Sequence, residues 1–562
     1  MVQPGRWVVP LALLLAALRV VGVAQIQMPF NGWDELPHLA VAYFVHKTGH
    51  MPTPRTPMPR ELVPFITAHP HPTASLSMLR GIDAKPYPGT DPACSAEPVK
   101  RFDLFLYEAQ HGPLFYHLAA RFLAGSDPDR LLAWADGVRL ANGALLLGTL
   151  FLWHRLLRRV VHRDGRLGWL PDGVLLLLCS FSYVYFNCVR FSNDALALFL
   201  GTLALVYYVA ALAPRGFPGP KLWRRYALLG ALTGLAVLAK ATTLALVLAL
   251  GLAVAWQGWR LRRRRAALAC LVWLAGGYLL VAGWNHAANL ARYGQPTAMQ
   301  EAVMNSKQGY GPAKILGAVA KLGYGVFRNP LLYNATPHLA GWSNLRSPDW
   351  VNLGFKTGVS VCLLALGAAL SRRASRREAA RLVATSRPLL LLWGATALAL
   401  AYHALHSTAR WGFPTTGAWY GMLALPVTFG GLLLGPALLG RRAGTYALLL
   451  LALIANVAFL DGAYNVLPAQ ETGTPDFYRA IRELAGHHAW LHLDLAPLVG
   501  LELLCLAGLI ALVAERVIQP RTAAKPCPLH VPSATATPCD PAPALCPPPL
   551  AAAAAHEVRA GM

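Results

Sequence analysis

Asp34 and Glu35 lie a few residues beyond the first long apolar segment, in the stretch Gln27-Met28-Pro29-Phe30-Asn31-Gly32-Trp33-Asp34-Glu35-Leu36-Pro37-His38. Ionisable groups at the edge of hydrocarbon are costly unless they face water or a site, so an adjacent carboxylate pair there marks a candidate site. The plainer reading is a hydrated loop with two ordinary acids. Other polar residues interrupt the apolar text in the same way. Arg190-Phe191-Ser192-Asn193-Asp194 separates two apolar runs, as a lined cavity or as a tight Asn-Asp turn. Lys240 stands between Ala239 and Ala241 with no carboxylate near it in sequence, so it reaches an anion or snorkels to water. His403, His406 and Arg410 share one helix face, as site residues or interfacial anchors. Carboxylates (Asp34, Glu35, Glu108, Asp194) can take a proton from a hydroxyl or hold a divalent ion. Cations (Arg190, Lys240, Arg410) can hold a phosphate and neutralise it as it leaves. Together these types fit group transfer from a lipid phosphate.

Other chemistries find little support. There is no phosphate-binding glycine loop, no HExxH and no convincing Ser-His-Asp arrangement. His487, His488 and His492 offer histidines at i,i+4, which alone are weak evidence for a metal.

The elements that must position these residues are apolar helices. The chain has 562 residues, 55% hydrophobic and 14% charged, with a mean hydropathy of +0.41. Soluble domains carry ~25% charged residues, so this composition predicts a polytopic membrane protein. Apolar segments occur at 7–28, 131–154, 168–189, 192–213, 225–240, 241–259, 266–287, 353–370, 386–406, 415–439, 444–460 and 495–514. That is about twelve spans of the ~20 residues a bilayer needs. The first segment is longer than a ~7–15-residue signal core and predicts an uncleaved helix.

The net charge of +24 would suggest nucleic acid in a soluble protein. Here the arginines cluster in short gaps between apolar runs, around 155–166, 215–225, 260–265, 372–381 and 441–442. That is the positive-inside pattern of cytoplasmic loops, and no nucleic-acid motif accompanies it. Alternate threading puts all these clusters on one side, and residues 29–130, 190–193, 288–352, 407–414 and 461–494 on the outer side. The cysteines form no disulfide or metal spacing.

The predicted organisation is a first helix with an external catalytic loop (1–130), a transmembrane core (131–460), an external loop with a last helix (461–518), and a tail (519–562). Within the first loop, Gly112 to Leu118 reads as an interfacial helix. The tail holds ten prolines and an alanine run at Ala551 to Ala555, which predicts a disordered cytoplasmic segment.

The order of these motifs resembles the GT-C superfamily of membrane glycosyltransferases, specifically relatives of protein O-mannosyltransferases and of the aminoarabinose transferase of lipid A, and related bacterial membrane proteins. The matching residues are Asp34-Glu35 with Pro37-His38, Gln110-His111-Gly112-Pro113-Leu114-Phe115-Tyr116, Arg139-Leu140-Ala141-Asn142 and Asn193-Asp194. They continue with Gly230 to Lys240 and with Gly283-Trp284-Asn285 through Asn289 to Pro296. The resemblance covers roughly residues 7–460. Gly112 departs from the family's proline pair, Asn285 to Ala288 lack the family arginine, and Trp419-Tyr420 replaces an Arg-Tyr.

The resemblance implies an all-α GT-C-like bundle in the cell membrane with its active site on the external face. It implies a polyprenyl-phosphate-linked sugar donor, transferred with inversion to a glycan, lipid or protein acceptor. On that reading Asp34 activates the acceptor hydroxyl, and Glu35 supports it or helps hold a divalent metal ion. Arg190, Lys240 and Arg410 bind the donor phosphate; Glu108, His111, Asn193 and Asp194 line the acceptor side. The rival expectation is a transporter or flippase for a lipid-linked or anionic substrate, though the internal repeats and paired broken helices of such proteins are not evident. A third is a catalytically silent relative serving as an assembly partner.

Overall fold

A computed structural model describes residues 7–27, 34–54, 56–62, 106–123, 128–161, 167–215, 222–297, 312–322, 348–411, 418–472 and 476–518. The described residues form one compact unit. The proline-rich tail lies outside the described residues.

Among those residues the regular elements are helices. We number α1 (Val8–Ile26), α2 (Glu35–Thr48), α3 (Leu114–Ala120), α4 (Pro128–Val160), α5 (Leu170–Ser180), α6 (Ser182–Cys188), α7 (Asp194–Tyr207), α8 (Leu222–Ala239), α9 (Leu244–Arg260), α10 (Arg264–Tyr293), α11 (Asp349–Ser371), α12 (Arg373–Trp411), α13 (Leu425–Leu439), α14 (Arg441–Asp461) and α15 (Leu495–Ile518). Among the described residues ten helices are long and apolar enough to cross a membrane, or eleven if the bent pair α5–α6 is one span. The chain is a multi-pass membrane protein. Of the twelve expected segments, the run at 225–240 is helical as α8 but is not among those ten.

The apolar run at 168–189 is not straight. It bends by 63° between α5 and α6. A break in hydrocarbon frees backbone carbonyls that must find donors. The Cys179 carbonyl accepts from Arg19 Nη1 and from the Tyr185 hydroxyl. Arg19 is wholly buried in α1 and is itself held by Glu502 of α15 at 2.7 Å and Asn456 of α14 at 2.6 Å. The Tyr464 hydroxyl donates to the second Glu502 oxygen. A buried ion pair is tolerated when hydrogen bonds complete it, and this one joins the break to three other helices.

Helices α8 and α10 approach closely because small residues line their seam. A Cβ on Gly230 would lie 2.0 Å from the Leu274 carbonyl oxygen, and one on Gly277 would lie 2.0 Å from that of Ala227. Backbone contact of this kind supplies dispersion where lipid removes any hydrophobic drive. A second apolar cluster joins α2, α3 and the start of α4 around Tyr43, Tyr116, Trp134 and Phe191. The expected helix at 112–118 is observed as the short α3, packed on this cluster through Phe115 and Tyr116. This cluster is the platform of the site described next.

Candidate active site

The construction starts at Arg139. On α4, Arg139 and Asn142 occupy one face at i,i+3. Arg139 Nε donates to Glu35 Oε1 at 2.7 Å, and its Nη2 pairs with Oε2. The Phe191 backbone N–H also donates to Glu35 Oε1, at 2.7 Å. Arg139 Nη1 reaches the Gln27 carbonyl at 2.6 Å. Both members of the ion pair have 0% exposure. Asn142 donates to the carbonyls of Arg190 and Ser192, at 2.6 and 3.0 Å. One helix face thus fixes the start of α2 and the turn before α7. Both Glu35 oxygens are held by this enclosed guanidinium, which anchors the start of α2 to α4.

The residue before Glu35 is Asp34, half-buried, with φ 54 and ψ 14. A non-glycine residue in the left-handed region is uncommon and is tolerated mainly by Asp and Asn. Such backbone persists where surrounding structure enforces it, often at functional sites. The Asp34 charge acts on Arg190 and on the Tyr116 hydroxyl, which places it within their electrostatic reach.

Asp194 gathers two of the expected phosphate ligands. Its Oδ1 accepts from Lys240 Nζ at 2.6 Å and its Oδ2 from Arg190 Nη2 at 2.7 Å. All three side chains are buried. Lys240 sits in extended backbone between α8 and the turn leading to α9, with its ammonium 5.9 Å from the Tyr420 ring centre. Asn193 donates to the Ala239 carbonyl at 3.0 Å, tying the start of α7 to the end of α8. Burial opposes the Arg190 charge, but Asp194 and then Asp34 outweigh it and hold its proton more tightly than usual.

A third group lies alongside. Glu108 Oε2 is 2.7 Å from His111 Nε2 and 3.6 Å from His38 Nε2. His38 is one turn after Asp34 on α2. Burial drives the His38 ring down to about 3, against the pull of Glu108, with His111, Lys240 and Arg190 adding to the drop. Burial raises the Glu108 carboxyl, yet the two rings and Lys240 bring it to about 2. His38 is therefore neutral and Glu108 ionised. Burial, then Glu108, Asp194 and Asp34, push the Tyr116 hydroxyl well above its ordinary value. His111 also lines a cavity of about 270 Å³, together with His50, His117, Asn285, Asn289 and Arg292.

Asp34, Arg190, Lys240, Glu108, His111, Asn193 and Asp194 thus come from distant segments into one neighbourhood. The Arg410 side chain lies outside the described residues. His403 packs against the Tyr420 ring at 4.9 Å, while His406 packs against Tyr402 at 4.1 Å. Among the later histidines, His488 Nδ1 is 2.8 Å from a buried Asp136 oxygen, which ties it to α4. Sequence reasoning gave no role to Arg139, His38 or Tyr116. All three were visible as members of the matching motifs, with His38 at i,i+4 from Asp34.

Comparison with known proteins adds a distant fold likeness. No family model and no curated protein matches the chain. Among solved structures it is similar to the Archaeoglobus fulgidus oligosaccharyltransferase tethered to an acceptor peptide containing the NVT sequon. That match has a TM-score of 0.40 and 13% identity, over 83% of this chain and 55% of that one. The apo form of the same enzyme gives 0.38 and 13%, over 85% and 60%. The chain spans less than two thirds of that protein's length. A likeness this distant says nothing about activity.

Proposed function

We propose that the protein is a membrane glycosyltransferase of the GT-C type, taking its sugar from a polyprenyl-phosphate donor on the external side of the cell membrane. The observation that carries this reading is the buried Asp194–Lys240–Arg190 trio, whose two cations and one carboxylate sum to a net positive charge, with Asp34 within electrostatic reach of Arg190. A phosphate diester or monoester suits that charge, and a strained, half-buried carboxylate beside it suits a base.

In this reading Asp34 accepts the proton of the acceptor hydroxyl. The acceptor oxygen forms its bond to the anomeric carbon as the bond from that carbon to the phosphate oxygen breaks. The electron pair leaves with polyprenyl phosphate, and Lys240 and Arg190 offset the charge. Glu35 keeps Asp34 in place through Arg139. The cavity beside His111 receives the acceptor, with Asn285, Asn289 and Arg292 as polar contacts.

The test uses membranes containing the full chain and a labelled polyprenyl-phosphate monosaccharide, with release of free polyprenyl phosphate as the readout. Turnover by the wild type that falls at least ~100-fold in Asp34→Asn supports the assignment. Movement of the intact labelled lipid between leaflets without release of its sugar would establish the transporter reading instead.

A further inference from the structure

We propose that His38 Nε2, Glu108 Oε2 and His111 Nε2 form a binding site for a divalent transition metal, with Zn²⁺ the ion its chemistry favours. Nothing in the transfer reaction described above requires it, and its test is independent of that reaction.

The three atoms lie within 4.8 Å of one another, although His38 and Glu108 are 70 positions apart in the chain. The hydrogen bonds fix what His38 presents. The Tyr116 hydroxyl donates to the Glu108 carbonyl at 3.0 Å, so its contact with His38 Nδ1 at 2.8 Å is accepted from the ring N–H. His38 Nε2 is then the unprotonated nitrogen. It faces Glu108 Oε2 at 3.6 Å, two acceptor atoms turned toward each other and beyond hydrogen-bond range. Glu108 is 3% exposed, and its Oε2 meets His111 Nε2 at 2.7 Å as its one near polar side-chain neighbour besides His38 among the described residues. Converging lone pairs in an enclosed site are what a cation resolves.

The dimensions agree. Metal–ligand bonds of ~2.0–2.2 Å put neighbouring tetrahedral ligand atoms roughly 3.2–3.6 Å apart. Glu108 Oε2 lies 2.7 Å from His111 Nε2 and 3.6 Å from His38 Nε2, and all three atoms lie within 4.8 Å, so small side-chain rotations would bring them to that spacing. Two imidazoles and one carboxylate select Zn²⁺ or Co²⁺ over Mg²⁺ and Ca²⁺, which take oxygen ligands. Metal-binding histidines usually donate their other N–H to an outer partner, which Tyr116 supplies for His38. The site has a built frame as well, because the Glu108 turn and Tyr116 are linked through the Glu108 carbonyl. With three protein ligands, a tetrahedral ion keeps one position for water or a substrate oxygen. Among the three ligands, His111 is also part of the cavity wall.

The experiment is a Co²⁺ and Zn²⁺ titration of the untagged, chelator-stripped full chain in detergent, followed by visible absorption and elemental analysis. The wild type should take up one equivalent with a tetrahedral Co²⁺ spectrum. Zn²⁺ should show two imidazole shells by X-ray absorption. His111→Ala, chosen because this side chain is 16% exposed, and the isosteric Glu108→Gln should each raise Kd at least ~100-fold. His488→Asn should bind like the wild type. No stoichiometric uptake by the wild type, or a zinc shell with fewer than two imidazoles, overturns the site. So does unchanged affinity in either ligand variant. The wild-type spectroscopy stands even where a ligand variant fails to fold.

Discussion

Gly112 lies directly against the backbone of Leu238: a Cβ on it would sit 2.1 Å from the Leu238 carbonyl oxygen. That contact brings the Glu108–His111 turn to the end of α8, two residues before Lys240. Leu238 offers backbone, which cannot swing aside. Gly112→Ala should therefore lower the unfolding temperature in detergent, by the ~1–3 kcal/mol typical of overpacking. It should also weaken turnover more than the distant, unobstructed Gly367→Ala, for which nothing lies within 4 Å.

The Arg139–Glu35 pair is a stability element as well as an anchor. Removing one partner leaves an enclosed charge. Arg139→Met or Glu35→Met alone should cost about 3–5 kcal/mol, and the double Met variant much less than their sum. The measurement is the unfolding temperature of the single and double variants. Additive losses would show that the two side chains act separately.

Lys240→Met should weaken binding of a polyprenyl-phosphate donor by ~1.5–3 kcal/mol, or roughly ten- to a hundredfold in Kd. The expression level should change little, because Arg190 still neutralises Asp194. Lys240→Arg should restore only part of the affinity, since a planar fork does not reproduce an ammonium held at 2.6 Å from one carboxylate oxygen. Equilibrium binding of a fluorescent donor analogue measures both.

His488 sets a pH dependence. Burial lowers its proton affinity below the ordinary histidine value of 6.5, although Asp136 pulls the other way. The unfolded chain then binds a proton near 6.5 that the folded chain resists, so folded-state stability falls as pH drops below that value. Unfolding temperatures measured from pH 7.5 downward should decline, and less steeply in His488→Asn, which keeps a donor for Asp136.

Much of this architecture is legible in the sequence because hydropathy and length are local properties. The runs at 7–28, 241–259 and 495–514 each appear as one helix, and Lys240 marks a boundary because a charge cannot continue an apolar run unnoticed. The kink inside 168–189 was not legible. Cys179-Ser180-Phe181-Ser182 holds neither proline nor glycine, and the donor that permits the break sits 160 positions away in α1. The site shows the same division. Residue types announced acids and cations near helix ends. Which acid met which cation depended on contacts across 104 positions for Arg139 with Glu35 and 46 for Lys240 with Asp194. Only the three-dimensional meeting reveals that Glu35 is committed while Asp34 beside it is not enclosed.

Arg19 has a consequence for how the chain is made. It enters the membrane with the first helix, but its carboxylate partner is synthesised 483 residues later. At ~5–20 residues per second the ribosome needs roughly 25–100 s to deliver Glu502. A guanidinium alone at the centre of an inserted helix costs about 2.5–3.5 kcal/mol, so the nascent first helix is a poor lodger in lipid until the last one arrives. The final helix is the bolt that closes the door from the inside, and a ribosome stalled before residue 495 leaves Arg19 without its carboxylate partner.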